Sequence, residues 1–162
     1  MSKTIEVGIS DLNIAKDGDV LVTYALGSCV GICLYDRVTK VAGLSHIMLP
    51  SSKDFKASGQ QLYKFADTAI ELLILKMEQA GAKRMFIKAK IAGGAQMFAN
   101  VSNSSLANIG ERNTEAVKKE LERFHIPIIA EDTGKNYGRT QYFYSEDGKM
   151  KIKAVNRGEW IY

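Results

Sequence analysis

The 162 residues are 46% hydrophobic and 25% charged, the balance of a soluble folded chain, and their number suits one domain whose core needs no disulfide or metal to hold it. The net charge of +4 arises from 22 basic and 18 acidic residues scattered without a run of five like charges, which argues against a nucleic-acid-binding patch. No stretch reaches the roughly 18 to 20 apolar residues that cross a bilayer, and the opening MSKTIE has no secretory leader pattern, so a cytoplasmic address without membrane insertion is expected.

Residues 5–9 and 20–25 are short, partly β-branched apolar runs and are expected as strands, with the polar stretch 11–19 between them read as a loop. Residues 30–35 and 41–48, separated by DRVTK at 36–40, predict an antiparallel hairpin. Both of its strands are apolar on both faces, as in a sheet covered on two sides. Pro50 ends the second strand and 51–59 is a polar loop. From 60 to 80, Leu62, Phe65, Ala66, Ala69, Ile70, Leu73, Met77 and Ala80 recur at three and four, predicting an amphipathic helix that Gly81 would close in a left-handed cap.

Residues 84–91 then predict a strand, 102–105 and 108–110 a small-residue loop, and 113–124 a second helix with Val117, Leu121 and Phe124 inward and Asn113 or Thr114 as its cap. A strand over 126–131 and a hairpin of 139–144 with 149–155 around Glu146, Asp147 and Gly148 complete the chain. The order of hairpins and two helices implies an α+β fold: packed β-sheets, sandwich-like and mixed or antiparallel, with two main helices on a sheet face.

The hairpin carries the candidate chemistry. Cys29 and Cys33, four apart in an extended segment, are separated by roughly 13 Å, too far for a disulfide, so both are expected as free thiols. A two-residue turn at Arg37 and Val38 sets His46 directly opposite Cys29; a four-residue turn, Arg37 to Lys40, leaves the two diagonal on one face; three or five residues separate them to opposite faces unless a bulge intervenes. A histidine beside a cysteine can take the thiol proton, and a protonated imidazole lowers the thiol pKa toward the nucleophilic thiolate. Backbone N–H groups around Ser28 and Cys29 are candidates for holding an oxyanion, and Thr23 or Ser45 for orienting the imidazole.

Other features read as structural. Cys33 is expected as packing, and two cysteines on a flat strand are too far apart to share a metal with His46, so no metal or cofactor is expected. His125 follows the second helix and is given no chemistry. Gly93 and Gly94 fit no phosphate-cradling pattern, and the adjacent carboxylates Glu131 and Asp132 fit a loop.

Six ordered blocks, LGSCV (26–30), GLSHIMLP (43–50), FADTA (65–69), KIAGGAQMF (90–98), NIGERN (108–113) and AEDTG (130–134), together resemble the chemoreceptor glutamine deamidase family, CheD; agreement is weakest over 137–162. The resemblance implies an α/β sandwich of packed sheets with flanking helices, similar to toxins that deamidate a glutamine of small GTPases. It also implies a cofactor-free chemotaxis enzyme that hydrolyses glutamine side chains of chemoreceptors to glutamate and ammonia. It puts the nucleophile on Cys29, the base on His46 and the residue orienting that base on Thr23, and it implies a CheC-type chemotaxis phosphatase as partner, with the loops 51–59 and 97–106 as places for that contact. The rival readings are a non-catalytic chemotaxis adaptor and a receptor methylesterase using the same dyad.

Overall fold

A computed structural model describes residues 2–54, 61–97 and 107–162. Its strands are β1 (Thr4–Glu6), β2 (Asp11–Ala15), β3 (Val20–Leu26), β4 (Val30–Asp36), β5 (Val41–Ile47), β6 (Ile87–Gly93), β7 (Ile128–Thr133), β8 (Arg139–Tyr144), β9 (Met150–Ala154) and β10 (Gly158–Ile161); its helices are α1 (Ala66–Gln79) and α2 (Ile109–Arg123). They form two mixed five-stranded sheets, a central one ordered β2-β5-β4-β6-β7 and an outer one ordered β1-β3-β8-β9-β10. The expected α+β architecture of packed sheets with two helices is the observed one.

The double-sided apolar pattern of the hairpin places the layers. On one face of the central sheet, Val30, Ile32, Leu34, Val41 and Ile47 pack against Ile70, Leu73, Ile74 and Met77 of α1 and Val117 and Leu121 of α2. On the other face, Cys33, Ala42, Leu44 and Ala92 meet Leu21, Leu26, Phe143, Met150 and Ile152 of the outer sheet. A strand buried on both faces needs apolar side chains at successive positions, and β4 and β5 supply them. The order of layers is therefore helices, central sheet, outer sheet.

Four expectations are corrected. The segment expected as a loop over 11–19 contains β2, an edge strand paired antiparallel to β5; the turn proper is confined to Asp17 and Gly18, both at positive φ. Asp and Asn are poor strand formers, but an edge strand with only Leu12 and Ala15 fully buried tolerates them. Helix α1 starts at Ala66, because Phe65, although buried and in phase, is extended and bridges to Leu49. Helix α2 starts four residues before the expected position, leaving Asn113 inside it rather than at its cap. The last strand, β10, is exposed at every position, so it has no alternation to reveal it.

The expected cap of α1 is present. Gly81 has φ +107°, its N–H bonds Glu78 O at 3.0 Å and the Ala82 N–H bonds Met77 O at 3.0 Å, the double closure of a left-handed helix end. The β8–β9 hairpin turns at Gly148, φ +75°, as its Asp-Gly pair implies. The loop expected over 102–105 lies outside the described residues.

Leu73 is fully buried between α1 and the central sheet, whereas Leu75, two residues on, is 43% exposed. Leu73→Ala should cost about 2 to 5 kcal/mol in chemical denaturation and Leu75→Ala under about 0.5 kcal/mol; equal losses would contradict the orientation of α1.

Candidate active site

The hairpin register depends on one buried carboxylate. Asp36 ends β4, and its Oδ1 accepts the N–H groups of Val38 at 2.8 Å and Thr39 at 3.3 Å while its Oδ2 accepts that of Lys83 at 2.9 Å. Burial alone would raise this carboxyl, but the N–H bonds outweigh it and hold its pKa below the ordinary value. They stabilise a four-residue turn, Arg37 to Lys40, so that Asp36 pairs with Val41 and Val30 with Ile47. Of the open turn lengths the four-residue one is realised. Gly31, not Cys29, lies opposite His46, and Cys29 sits just before β4 on the diagonal, packed against the cluster between the sheets.

His46 is fully buried on the same inter-sheet face. Thr23, buried on β3 of the outer sheet, has its Oγ1 2.7 Å from His46 Nδ1 and donates its one hydroxyl proton to Val7 O at 2.7 Å. Having given that proton to a carbonyl, the hydroxyl can only accept from the ring, so Nδ1 carries the imidazole proton and Nε2 keeps its lone pair. Nε2 is buried without a hydrogen-bond partner among the described residues. Burial pushes the His46 pKa down from 6.5 to about 4, so the ring is neutral at neutral pH. Ser45, the other candidate for orienting the ring, alternates to the helix-facing side, and among the described residues it is Thr23 that makes the bond.

The nucleophile expected at Cys29 is half-buried, and burial raises its thiol pKa, only partly offset by its own backbone N–H. This corrects the expectation of a thiol lowered by a protonated histidine: the imidazole is itself desolvated and uncharged, so His46 supplies no cation to stabilise a thiolate. At rest the Cys29 thiol and the His46 imidazole are both uncharged.

The chain around Cys29 is clamped by its carbonyls. Gly27 O accepts from the Ala95 N–H at 2.8 Å and Cys29 O from the Gly94 N–H at 2.8 Å. Ser28 O accepts from Asn113 Nδ2 at 3.0 Å. Gly93, at φ +107°, lies so close that a Cβ there would run into Cys29 O. The glycine pair that matched no phosphate pattern is thus a seat for the cysteine loop. Neither it nor Asn113 stands out as chemistry in the sequence; both fall in the blocks on which the resemblance rests, which is the signal that could have found them.

The remaining candidates are structural. Cys33 is fully buried in the inter-sheet cluster, and both cysteines are free. His125 takes the left-handed position after α2, φ +59°. Glu131 pairs with Lys118 at 3.1 Å, and Asp132 binds Arg139 Nε at 2.8 Å and the Tyr162 hydroxyl at 2.6 Å. Among the described residues no three His, Cys, Asp or Glu side chains gather as a metal site, and no helix is long and apolar enough to cross a membrane.

Residues 48–154 match the family model described as CheD chemotactic sensory transduction. The chain belongs to the CheD family. It is 50% identical over 98% of both chains to a protein of Halalkalibacterium halodurans named chemoreceptor glutamine deamidase CheD. It is 52% identical, over 97% of this chain and 96% of the other, to one of Caldanaerobacter subterraneus subsp. tengcongensis named a probable chemoreceptor glutamine deamidase CheD. A Syntrophomonas wolfei protein with that same name is 49% identical over 99% of both. Thr23, Cys29 and His46 precede the span matched by the CheD family model and fall in the part that the full-length relatives add.

A histidine whose pKa is lower folded than unfolded stabilises the fold fully above the unfolded value and loses that contribution as pH falls toward the folded one. Stability should therefore drop between pH 6.5 and about 4, by on the order of 3 kcal/mol from His46. Urea denaturation across that range should show the drop in the wild type and a shallower one in His46→Gln; identical slopes would contradict a buried neutral His46.

Proposed function

We propose that this chain is a chemoreceptor glutamine deamidase, converting particular glutamine side chains of methyl-accepting chemotaxis proteins to glutamate with release of ammonia, and so regulating chemotaxis. The observation that carries the reading is the Thr23 to His46 Nδ1 bond, which leaves the unpartnered Nε2 of a neutral imidazole on the face shared with Cys29. The names of relatives at about half identity over nearly the whole chain support the substrate.

The chemistry follows from a neutral pair. As Cys29 Sγ attacks the glutamine side-chain carbonyl carbon, its proton passes to His46 Nε2, and the carbonyl π electrons move to oxygen. Backbone N–H groups near Ser28 and Cys29 steady that oxyanion. The tetrahedral species collapses, the C–N bond breaks, and the nitrogen leaves as ammonia with the proton from His46, giving a thioester. Water then adds with His46 taking its proton, the C–S bond breaks, and the thiol recovers the proton as glutamate departs. Thr23 keeps Nε2 as the working nitrogen throughout. These steps call on no cofactor.

We extend the proposal to the setting of the enzyme: one domain acting in the cytoplasm, with a CheC-type phosphatase as a partner. Of the loops suggested for that partner, 55–59 and 98–106 lie outside the described residues.

The test is mass spectrometry of receptor glutamines incubated with wild type and variants. Cys29→Ala should abolish conversion, a loss of about 10³-fold or more, and His46→Ala should slow it about 10²- to 10⁴-fold. Conversion by Cys29→Ala at the wild-type rate would overturn the assignment, and a wild type that binds receptors without converting them would favour an adaptor.

A further inference from the structure

We propose that Asn113 is a positioning residue that sets the gap between the nucleophile and its base. It rests on the reading of Cys29 and His46 as a working pair. The β4–β5 ladder ends at Val30 and Ile47, so the ladder itself does not hold together the next residues, which include Cys29. Asn113 reaches from α2 across that end. Its Nδ2 donates to Ser28 O at 3.0 Å and to Met48 O at 2.9 Å. One acceptor adjoins Cys29, and the other lies two residues past His46. Because both partners are carbonyls, which only accept, the orientation of the amide is forced, and its two protons are both used. The side chain is a stitch between two strand ends at the place where their own pairing stops.

The position is unusual for a polar residue. Asn113 is fully buried and stands four and eight residues before Val117 and Leu121, the stripe of α2 that packs on the central sheet. Its Oδ1 has no partner among the described residues, so part of the cost of burying an amide is uncompensated. An apolar side chain here would extend the core stripe but would leave Ser28 O and Met48 O without this donor and the two strand ends unlinked. The other clamps on the loop, from Gly94 and Ala95, tie it to the chain after β6, and Met48 N–H is tied to Lys64 O at 2.9 Å. None of those bonds spans from the cysteine strand to the histidine strand; Asn113 does. Since proton transfer requires a hydrogen-bond separation between Sγ and Nε2, a drift of about 1 Å between the strands is enough to lower the rate about a hundredfold.

The experiment measures Cys29 alkylation by iodoacetamide across pH in four backgrounds, wild type, Asn113→Asp, Asn113→Ser and Val117→Ala, each with and without His46→Ala. Asn113→Asp keeps the shape and removes the donors; Asn113→Ser keeps one donor on a smaller frame and serves if the aspartate variant does not fold. Val117→Ala removes core packing from the same helix and controls for general loss of stability. Wild-type alkylation should fall when His46 is removed, and in Asn113→Asp that dependence should shrink about 10- to 100-fold, with receptor deamidation losing kcat rather than gaining KM. Asn113→Ser should lie between the two, and Val117→Ala should keep the wild-type profile. A His46 dependence in the Asn113 variants equal to that of wild type, or an equal loss in Val117→Ala, would overturn the positioning role. If wild-type alkylation itself ignores His46, the failure belongs to the Cys29–His46 reading on which the inference rests.

Discussion

The hydrogen bond between His46 and Thr23 joins the central sheet to the outer one, and the candidate site depends on it. It exists only because the hairpin register turns His46 toward the outer sheet, and that register follows from the four-residue turn held by Asp36. Side chains alternate along a strand, so one residue more or fewer in the turn would send the imidazole among the helices and bring Ser45 to the sheet interface. The site is thus specified at a distance, by a buried carboxylate at the far end of the hairpin.

Burial then decides the protonation state. An imidazole that, among the described residues, has no carboxylate partner and bonds a hydroxyl in a layer between sheets has its affinity for a proton lowered, and the half-buried thiol ionises less readily. In the proposed mechanism both groups start uncharged, and proton transfer accompanies attack instead of preceding it. A neutral thiol is also a poorer target for adventitious oxidants than a standing thiolate.

Much of this was legible in the residues. The β4–β5 hairpin, the sheet buried on both faces, the core face of α1 and its Gly81 cap follow from apolar spacing and turn chemistry, because in those segments local pattern and tertiary packing agree. Counting residues across DRVTK narrowed Cys29 and His46 to a small set of arrangements but left the turn length open, since the buried bonds of Asp36 come partly from Lys83, far along the chain. The edge strands β2 and β10 were hidden for the opposite reason: pairing on one side and partial exposure remove the alternation that marks a strand. Asn113 was misread because its residue type favours a helix start, whereas it serves Ser28 and Met48, 85 and 65 residues away, which spacing along the chain does not reveal. The lowered His46 pKa likewise depends on the layer that covers it.

The most direct measurement is nitrogen-15 NMR of the His46 ring in the wild type, which reports both its tautomer and its titration. The ring should be neutral at pH 7 with its proton on Nδ1, taking a second proton only near pH 4. A proton on Nε2, or an imidazolium at pH 7 beside a Cys29 thiolate, would contradict it.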